Sequence, residues 1–405
     1  MESLLLNKVV FVFGLGIMCQ WIAWKLRIPA IIFLSVTGVL LGPTFGLISP
    51  SEDFGDLIEV LVKLALAIIL FDGGLNLRLS EFKKSPRALR RLVSAGVILS
   101  WIFGSVSFRY LLDFSWAVAT VMSSILIVTG PTVIMPLLKQ TNLSRKMSSL
   151  FKWEGIVNDP IGALITVLLF EFWIHLAEGK NPSSVFASVA AGVVVAFGLG
   201  VATGFAIKYL FRKAHAPEYL KVPIILASVV VLYSVSNLVQ EEAGLLAVTV
   251  LGFVMGNVRL SIIHELRRFK EQITVFLVSA VFIILTSELD FAHFNVLDAK
   301  SIIFCVLALF FVRPLAIVLS TFRTEMNFKE RLLLGWIAPR GVVAATMAGL
   351  VAPKMIEVGY EGAEYILAFI FLIVFITVLV HGVSLPILAR FMGLASKSKS
   401  GMLIV

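Results

Sequence analysis

Apolar runs of roughly 20 residues follow one another along this chain with short polar breaks between them. That is the length of helix needed to cross the ~30 Å hydrocarbon core of a bilayer. In lipid, every backbone N–H and C=O must find a partner within the protein, so such runs fold as helices. They lie at about 8–25, 28–48, 58–77, 91–112, 115–138, 149–174, 184–208, 220–239, 242–258, 272–289, 300–321, 330–352 and 364–390, thirteen in all. The composition agrees: 59% of residues are hydrophobic, 15% are charged, and the mean hydropathy is +1.00. A soluble domain has about 45–50% apolar and ~25% charged residues. The expected fold class is therefore an all-α polytopic membrane protein with 13 transmembrane helices. The opening MESLLLNKVVFVFGLG lacks a basic n-region and an A-x-A site, so its apolar run is expected to be retained rather than cleaved.

Cationic residues test the span count and set an orientation. With residue 1 outside, 26 of the 34 Lys and Arg fall on the inner side, five fall outside, and Lys63, Arg313 and Arg340 lie within spans. Cytoplasmic loops carry the excess of Lys and Arg, and one span miscounted would reverse the bias downstream. The chain is thus expected to be integral to a prokaryotic inner or plasma membrane, with the N-terminus outside and the C-terminus cytoplasmic. The outer loops SPSEDFGD, VQEEAG and SELDFAHFNVLD are acidic or neutral. The formal net charge of +9 is accounted for by this asymmetry, with no need of nucleic acid; membrane lipids are the expected surroundings. After the last span, residues 391–405 form a tail ending in SKSKSGMLIV. Two readings stay open: a short frayed tail, or the first strand of a cytoplasmic nucleotide-binding domain in a longer protein.

Three spans are not plain lipid-facing helix. Span five holds TGPT at 129–132, span six holds Asn158-Asp159-Pro160, and span twelve holds APRG at 338–341. Pro removes a backbone donor and Gly weakens a helix. Non-helical backbone at membrane depth survives only where protein buries it or it lines a cavity. Spans five and twelve are each second in a group of three, and the odd offset of seven makes the groups run in opposite directions. Interrupted helices at matching places in two inverted halves point to a transporter's binding site.

Charge concentrates at the same place. FKWEGIVNDPIG at 151–162 puts a glutamate, an asparagine and an aspartate in one membrane span, although a charge at the bilayer centre costs several kcal/mol. Glu154 and Asn158 are i and i+4, on one helix face. A buried Glu and Arg should pair, since either alone is costly. Arg340 is the expected partner of Glu154, with Arg313, which precedes Pro314, as the competitor. Asp159 is then the carboxylate without a fixed cation. Such a group can hold a proton or a small cation, not both. Oxygens of Thr129, Asn158 and Asp159 suit a hard monovalent cation, and no His/Cys cluster exists for a transition metal. Asp72 in LFDGGLNL is either a gating group or a solvated helix-end residue, and Lys63 is expected to snorkel. Cys19 and Cys305 sit in apolar runs, the five His are read as interfacial, and NLS at 142 lies inside. No Walker A, GxSxG or HExxH motif appears, so the chain is not expected to be an enzyme and no cofactor is expected.

EGIVNDP at 154–160, LFDGGLNL at 70–77, TGPT at 129–132, FVRPL at 311–315 and APRGVVA at 338–344 together resemble the NhaP-type branch of the monovalent cation–proton antiporters. The resemblance covers essentially the whole chain. It implies thirteen helices in an NhaA/NhaP-like fold with inverted repeats and two crossed interrupted helices. It also implies a six-helix core (about 91–174 and 300–390), a dimerisation domain from the remaining spans (about 8–77 and 184–289), and a homodimer. It makes Asp159 the ion- and proton-binding carboxylate and Asn158 the partner that marks electroneutral exchange. Thr129 becomes an oxygen donor to the ion, and Glu154 with Arg340 a core-stabilising pair. Many relatives have Thr-Asp-Pro at the span-five break where this chain has Thr129-Gly130-Pro131, which bears on the choice between Na⁺ and K⁺. Some relatives continue into a cytoplasmic nucleotide-binding regulatory domain. The implied activity is 1:1 exchange of Na⁺ or K⁺ for H⁺. A gated K⁺ efflux system is the alternative within transport, and an intramembrane enzyme the alternative outside it.

Overall fold

The computed structural model describes residues 2–26, 30–55, 57–82, 86–141, 143–181, 183–212, 216–258, 263–288 and 299–395. Among these the chain is helical; the only pairing of extended backbone is an isolated bridge between Leu143 and Ala395. Residues 396–405 of the tail, for which a frayed end and a first strand were both open readings, lie outside the described residues.

The helices of the first third are α1 Glu2–Leu26, α2 Ala30–Val39, α3 Pro50–Phe54, α4 Leu57–Leu75, α5 Leu79–Phe82, α6 Pro86–Arg91 and α7 Val97–Leu111. A π-helical turn, Leu40–Thr44, extends α2, and another, Leu92–Gly96, joins α6 to α7. Next come α8 Trp116–Ile125, α9 Pro131–Gln140, α10 Arg145–Ala177, α11 Ser183–Arg212, α12 Glu218–Asn237 and α13 Ala243–Asn257. The last are α14 Ile263–Ser287, α15 Ala299–Leu307, α16 Arg313–Ser320, α17 Phe328–Trp336, α18 Val342–Glu357 and α19 Tyr365–Phe391, with a π-helical turn Ala308–Val312 before α16.

Seven helices among the described residues are long and apolar enough to cross a membrane, and four shorter ones are apolar. Their sequences are apolar on the outside as well as the inside. On α11, Val185, Val189, Gly192, Ala196, Gly200, Gly204, Ile207 and Phe211 are buried, at the three- and four-residue spacing of one helix face. Phe186, Val194, Phe197 and Phe205 of the same helix are exposed. A helix hydrophobic all round suits a membrane span.

Two apolar stretches are split in the middle. Between α8 and α9, residues 126–130 leave the helix, and between α17 and α18, residues 337–341 do the same. Local chemistry sets the neighbouring ends. The Ser115 hydroxyl accepts from the Val118 amide at the start of α8, at 3.3 Å. Pro131 opens α9, where its missing N–H costs nothing. Asn327 and Glu330 form a capping box at the start of α17. Lys146, near the start of α10, donates to the Glu330 carboxylate at 2.7 Å, tying α10 to α17 at one end. In between, α10 packs against α8, α9, α13 and α18 and so runs past both the first interruption and the helix that follows the second.

Candidate functional site

Helix α10 starts from Ser144, whose hydroxyl accepts from the Met147 amide at 3.4 Å. It continues through Pro160, which has no N–H to offer the carbonyl one turn before it. Gly155 and Gly162 are two turns apart on its inner side. A Cβ on Gly155 would come within 2.6 Å of the Ile134 side chain on α9, and one on Gly162 within 2.6 Å of Val128 in the first interruption. These two positions let the helix press against the broken strand of backbone. Glu154, Asn158 and Asp159 are carried into the same interior, and all three are buried.

The first interruption meets α10 through Thr129, whose hydroxyl donates to the Glu154 carbonyl at 3.4 Å. The second meets the first through Arg340. Its backbone N–H donates to the Thr377 hydroxyl of α19 at 3.1 Å, and its guanidinium donates to the Val128 carbonyl at 3.4 Å. Val128 follows the C-terminal end of α8, where carbonyls lack helical partners and the helix dipole favours a cation. One arginine thus joins the two interruptions.

This placement corrects the expected ion pair. Glu154 bonds to Arg313, not to Arg340, and the side chains are 3% and 8% exposed. The physical reason lies in the carbonyls freed by the first interruption. One of them takes the Arg340 guanidinium, while Arg313, at the first residue of α16, meets the carboxylate. Arg340 remains within electrostatic reach of both Glu154 and Arg313.

Asp159 is 1% exposed, and its Oδ1 has no hydrogen-bond partner among the described residues; the Asn158 Oδ1 has none either. Buried acceptors left open are uncommon and call for an explanation. Two adjacent ones at a helix face beside freed backbone suit an ion that comes and goes.

Asp72 lies apart from this group. Its carboxylate accepts from Asn76 at 3.2 Å and from the Thr274 hydroxyl of α14 at 3.1 Å. It ties α4 to α14 rather than standing as a solvated helix end. Two further residues escaped the sequence reading. His381 of α19 is 1% exposed, packed edge-on to Trp336 and within electrostatic reach of Arg340 and Arg313; it is not interfacial. Glu242, from the acidic loop VQEEAG, is buried. The doubled glutamate ahead of an apolar run was the available signal.

Comparison with known proteins follows the same line. The family model for the transmembrane part of sodium/hydrogen exchangers matches residues 10–391. A K⁺/H⁺ antiporter, NhaP2, of Shewanella sp. strain ANA-3 is 26% identical over 386 residues, 93% of this chain and 65% of that protein. A protein named "Probable Na⁺/H⁺ antiporter 2" of Methanocaldococcus jannaschii is 22% identical over 372 residues, 87% of this chain and 86% of that one. The structure of the sodium proton antiporter MjNhaP1 from M. jannaschii at pH 8 superposes with a TM-score of 0.81 at 21% identity, covering 98% of this chain and 100% of that chain. That likeness shows the fold. This chain spans about 65% of the length of the Shewanella relative.

Proposed function

Since the chain belongs to the transmembrane sodium/hydrogen exchanger family, we propose that it exchanges a monovalent cation, Na⁺ or K⁺, for H⁺ across a membrane by alternating access. The observation that carries this reading is Asp159: a buried carboxylate with an open oxygen, on a helix pressed against an interrupted neighbour. The relatives named for K⁺/H⁺ and Na⁺/H⁺ antiport support both ions as substrates. Asp159, Asn158 and Thr129 are the oxygen donors proposed for the cation. They act by binding, and no residue is assigned a catalytic role.

Two features give the mechanism its charge balance. Arg313 neutralises Glu154, and the Val128 carbonyl occupies Arg340. Asp159 then carries either a proton or a cation on each crossing, so both half-cycles move the same charge. Exchange is 1:1 and electroneutral.

Thirteen crossings with the N-terminus outside and the C-terminus cytoplasmic are supported by the distribution of Lys and Arg. Inverted three-span groups with two crossed interrupted helices are supported by the matching breaks at 126–130 and 337–341. The core is assigned to about 91–174 and 300–390, and a homodimer scaffold to the remaining spans. A cytoplasmic regulatory domain beyond residue 405 is supported by the greater length of the Shewanella relative.

Reconstitution in liposomes with an internal pH dye tests the proposal. With a pH gradient imposed, Na⁺ or K⁺ is expected to drive proton movement at a rate that clamping the membrane potential leaves unchanged. Proton movement that follows the potential would overturn 1:1 exchange. No response to Na⁺, K⁺ or Li⁺ would overturn the antiport reading.

A further inference from the structure

Trp336 closes α17 immediately before the second interruption, and its side chain turns towards α19. Its indole N–H donates to the Ser384 hydroxyl at 2.9 Å, and Phe310 packs edge-on against its ring at 4.6 Å. Beside this contact lies an open groove of about 490 Å³, lined chiefly by Trp336, Val380, Val383, Ser384, Ile387 and Leu388. Val383 and Ile387 are 56% and 61% exposed. The polar groups of the lining, the indole N–H and the Ser384 hydroxyl, are engaged with each other, so the groove suits hydrocarbon.

The groove has a basic mouth. On α17, Leu332 and Lys329 lie four and seven residues before Trp336, on its face; on α19, Arg390 shares the face of Val383 and Ile387. Lys329 and Arg390 are exposed, and neither is in an ion pair among the described residues. Both lie at one end of the molecule. The start of α17 is tied to α10 through Glu330 and Lys146, and the chain just beyond α19 is tied there through the Leu394 carbonyl and the Ser144 amide. At ~1.5 Å per residue, Lys329 lies about 10 Å along its helix from Trp336, and Arg390 about 9 Å from Ser384. The two cations therefore sit at one level. A two-fold contact between copies of this chain would set the basic pair against itself.

We propose that this groove binds an anionic phospholipid, with an acyl chain along α19 against Trp336 and the phosphate between Lys329 and Arg390. Basic pockets between membrane helices take anionic head groups. Trp336 bonds to α19 just before the second interruption, and the Arg340 amide bonds to Thr377 of α19 within it. A lipid packed on this seam steadies the interruption. Its effect on exchange rests on the antiport reading; its binding does not.

The test uses the protein in vesicles. Bromine on acyl chains quenches nearby tryptophan, so brominated phosphatidylglycerol titrated into phosphatidylcholine vesicles reads occupancy as the quenching that W336F removes. At about fivefold per basic group beside an anionic head group, K329Q/R390Q is expected to weaken the apparent lipid affinity roughly 20- to 30-fold. K208Q/R212Q, which removes the same charge from the C-terminal end of α11, is expected to stay within about twofold of wild type. Wild-type exchange is expected to run about threefold or more faster in equal parts phosphatidylcholine and phosphatidylglycerol than in phosphatidylcholine alone, and K329Q/R390Q at one rate in both. Equal quenching by brominated phosphatidylcholine, unchanged affinity in K329Q/R390Q, or an equal loss in K208Q/R212Q would each overturn the site. Selective quenching with one exchange rate in both vesicles would overturn the link to the interruption. Wild-type protein without cation-driven proton movement would instead overturn the antiport reading, while the quenching still reads the site.

Discussion

Asp159→Asn is expected to abolish cation-driven proton movement while the protein stays folded and purifies normally. Asparagine keeps the shape and burial of the side chain but loses the charge that a cation needs and the site a proton takes. Neither of the other two carboxylates named from the membrane spans is placed to substitute for it, because Glu154 is held by Arg313 and Asp72 is tied to Asn76 and Thr274. A loss of at least 100-fold in rate, with an unchanged melting profile, is the expected outcome. Folded Asp159→Asn protein that exchanged ions at near wild-type rates would remove Asp159 from the mechanism.

Glu154→Ala is expected to destabilise the protein by about 3–5 kcal/mol, the usual cost of leaving one member of a buried ion pair alone. The loss is larger than for most substitutions because buried Arg313 would lose its carboxylate partner while Arg340 stays within electrostatic reach of it. Arg313→Ala should cost a similar amount. The double variant should cost clearly less than the sum, since neither partner is then stranded. Combining Glu154→Ala with Arg340→Ala should show weaker coupling, because Arg340 bonds to the Val128 carbonyl. Thermal unfolding in detergent reads all of these. Stronger coupling of Glu154 to Arg340 than to Arg313 would contradict the pairing in the structure.

The helical class and the two interruptions were legible because they depend on local facts. Long apolar runs have few alternatives in lipid, and the Gly-Pro and Pro-Arg-Gly sequences break a helix wherever it packs. The burial of Asp159 was legible for a related reason: Asp-Pro lies deep in a span with no solvated end near it. The partner of Glu154 was not. Arg313 and Arg340 both sit within spans, and the choice between them depends on where the interruption frees a carbonyl, which is a tertiary matter. Glu242 was hidden by its setting, since an acidic loop reads as solvated surface. Only the left-handed turn and the Gln240–Glu171 tie send its carboxylate inward. His381 lies in the last span, where nothing in the sequence told a buried face from an exposed one.

The shared use of Asp159 by H⁺ and cation is tested most directly by cation binding as a function of pH. Calorimetric titration of detergent-solubilised protein with Na⁺ and with K⁺, in buffers of different ionisation enthalpy, gives both the affinity and the protons released. Competition at one carboxylate predicts one proton released per cation at the acidic end. It also predicts an apparent Kd that weakens about tenfold for each pH unit lost there, both effects being absent in Asp159→Asn. Cation binding that keeps its affinity across the pH series and releases no proton would contradict a shared site.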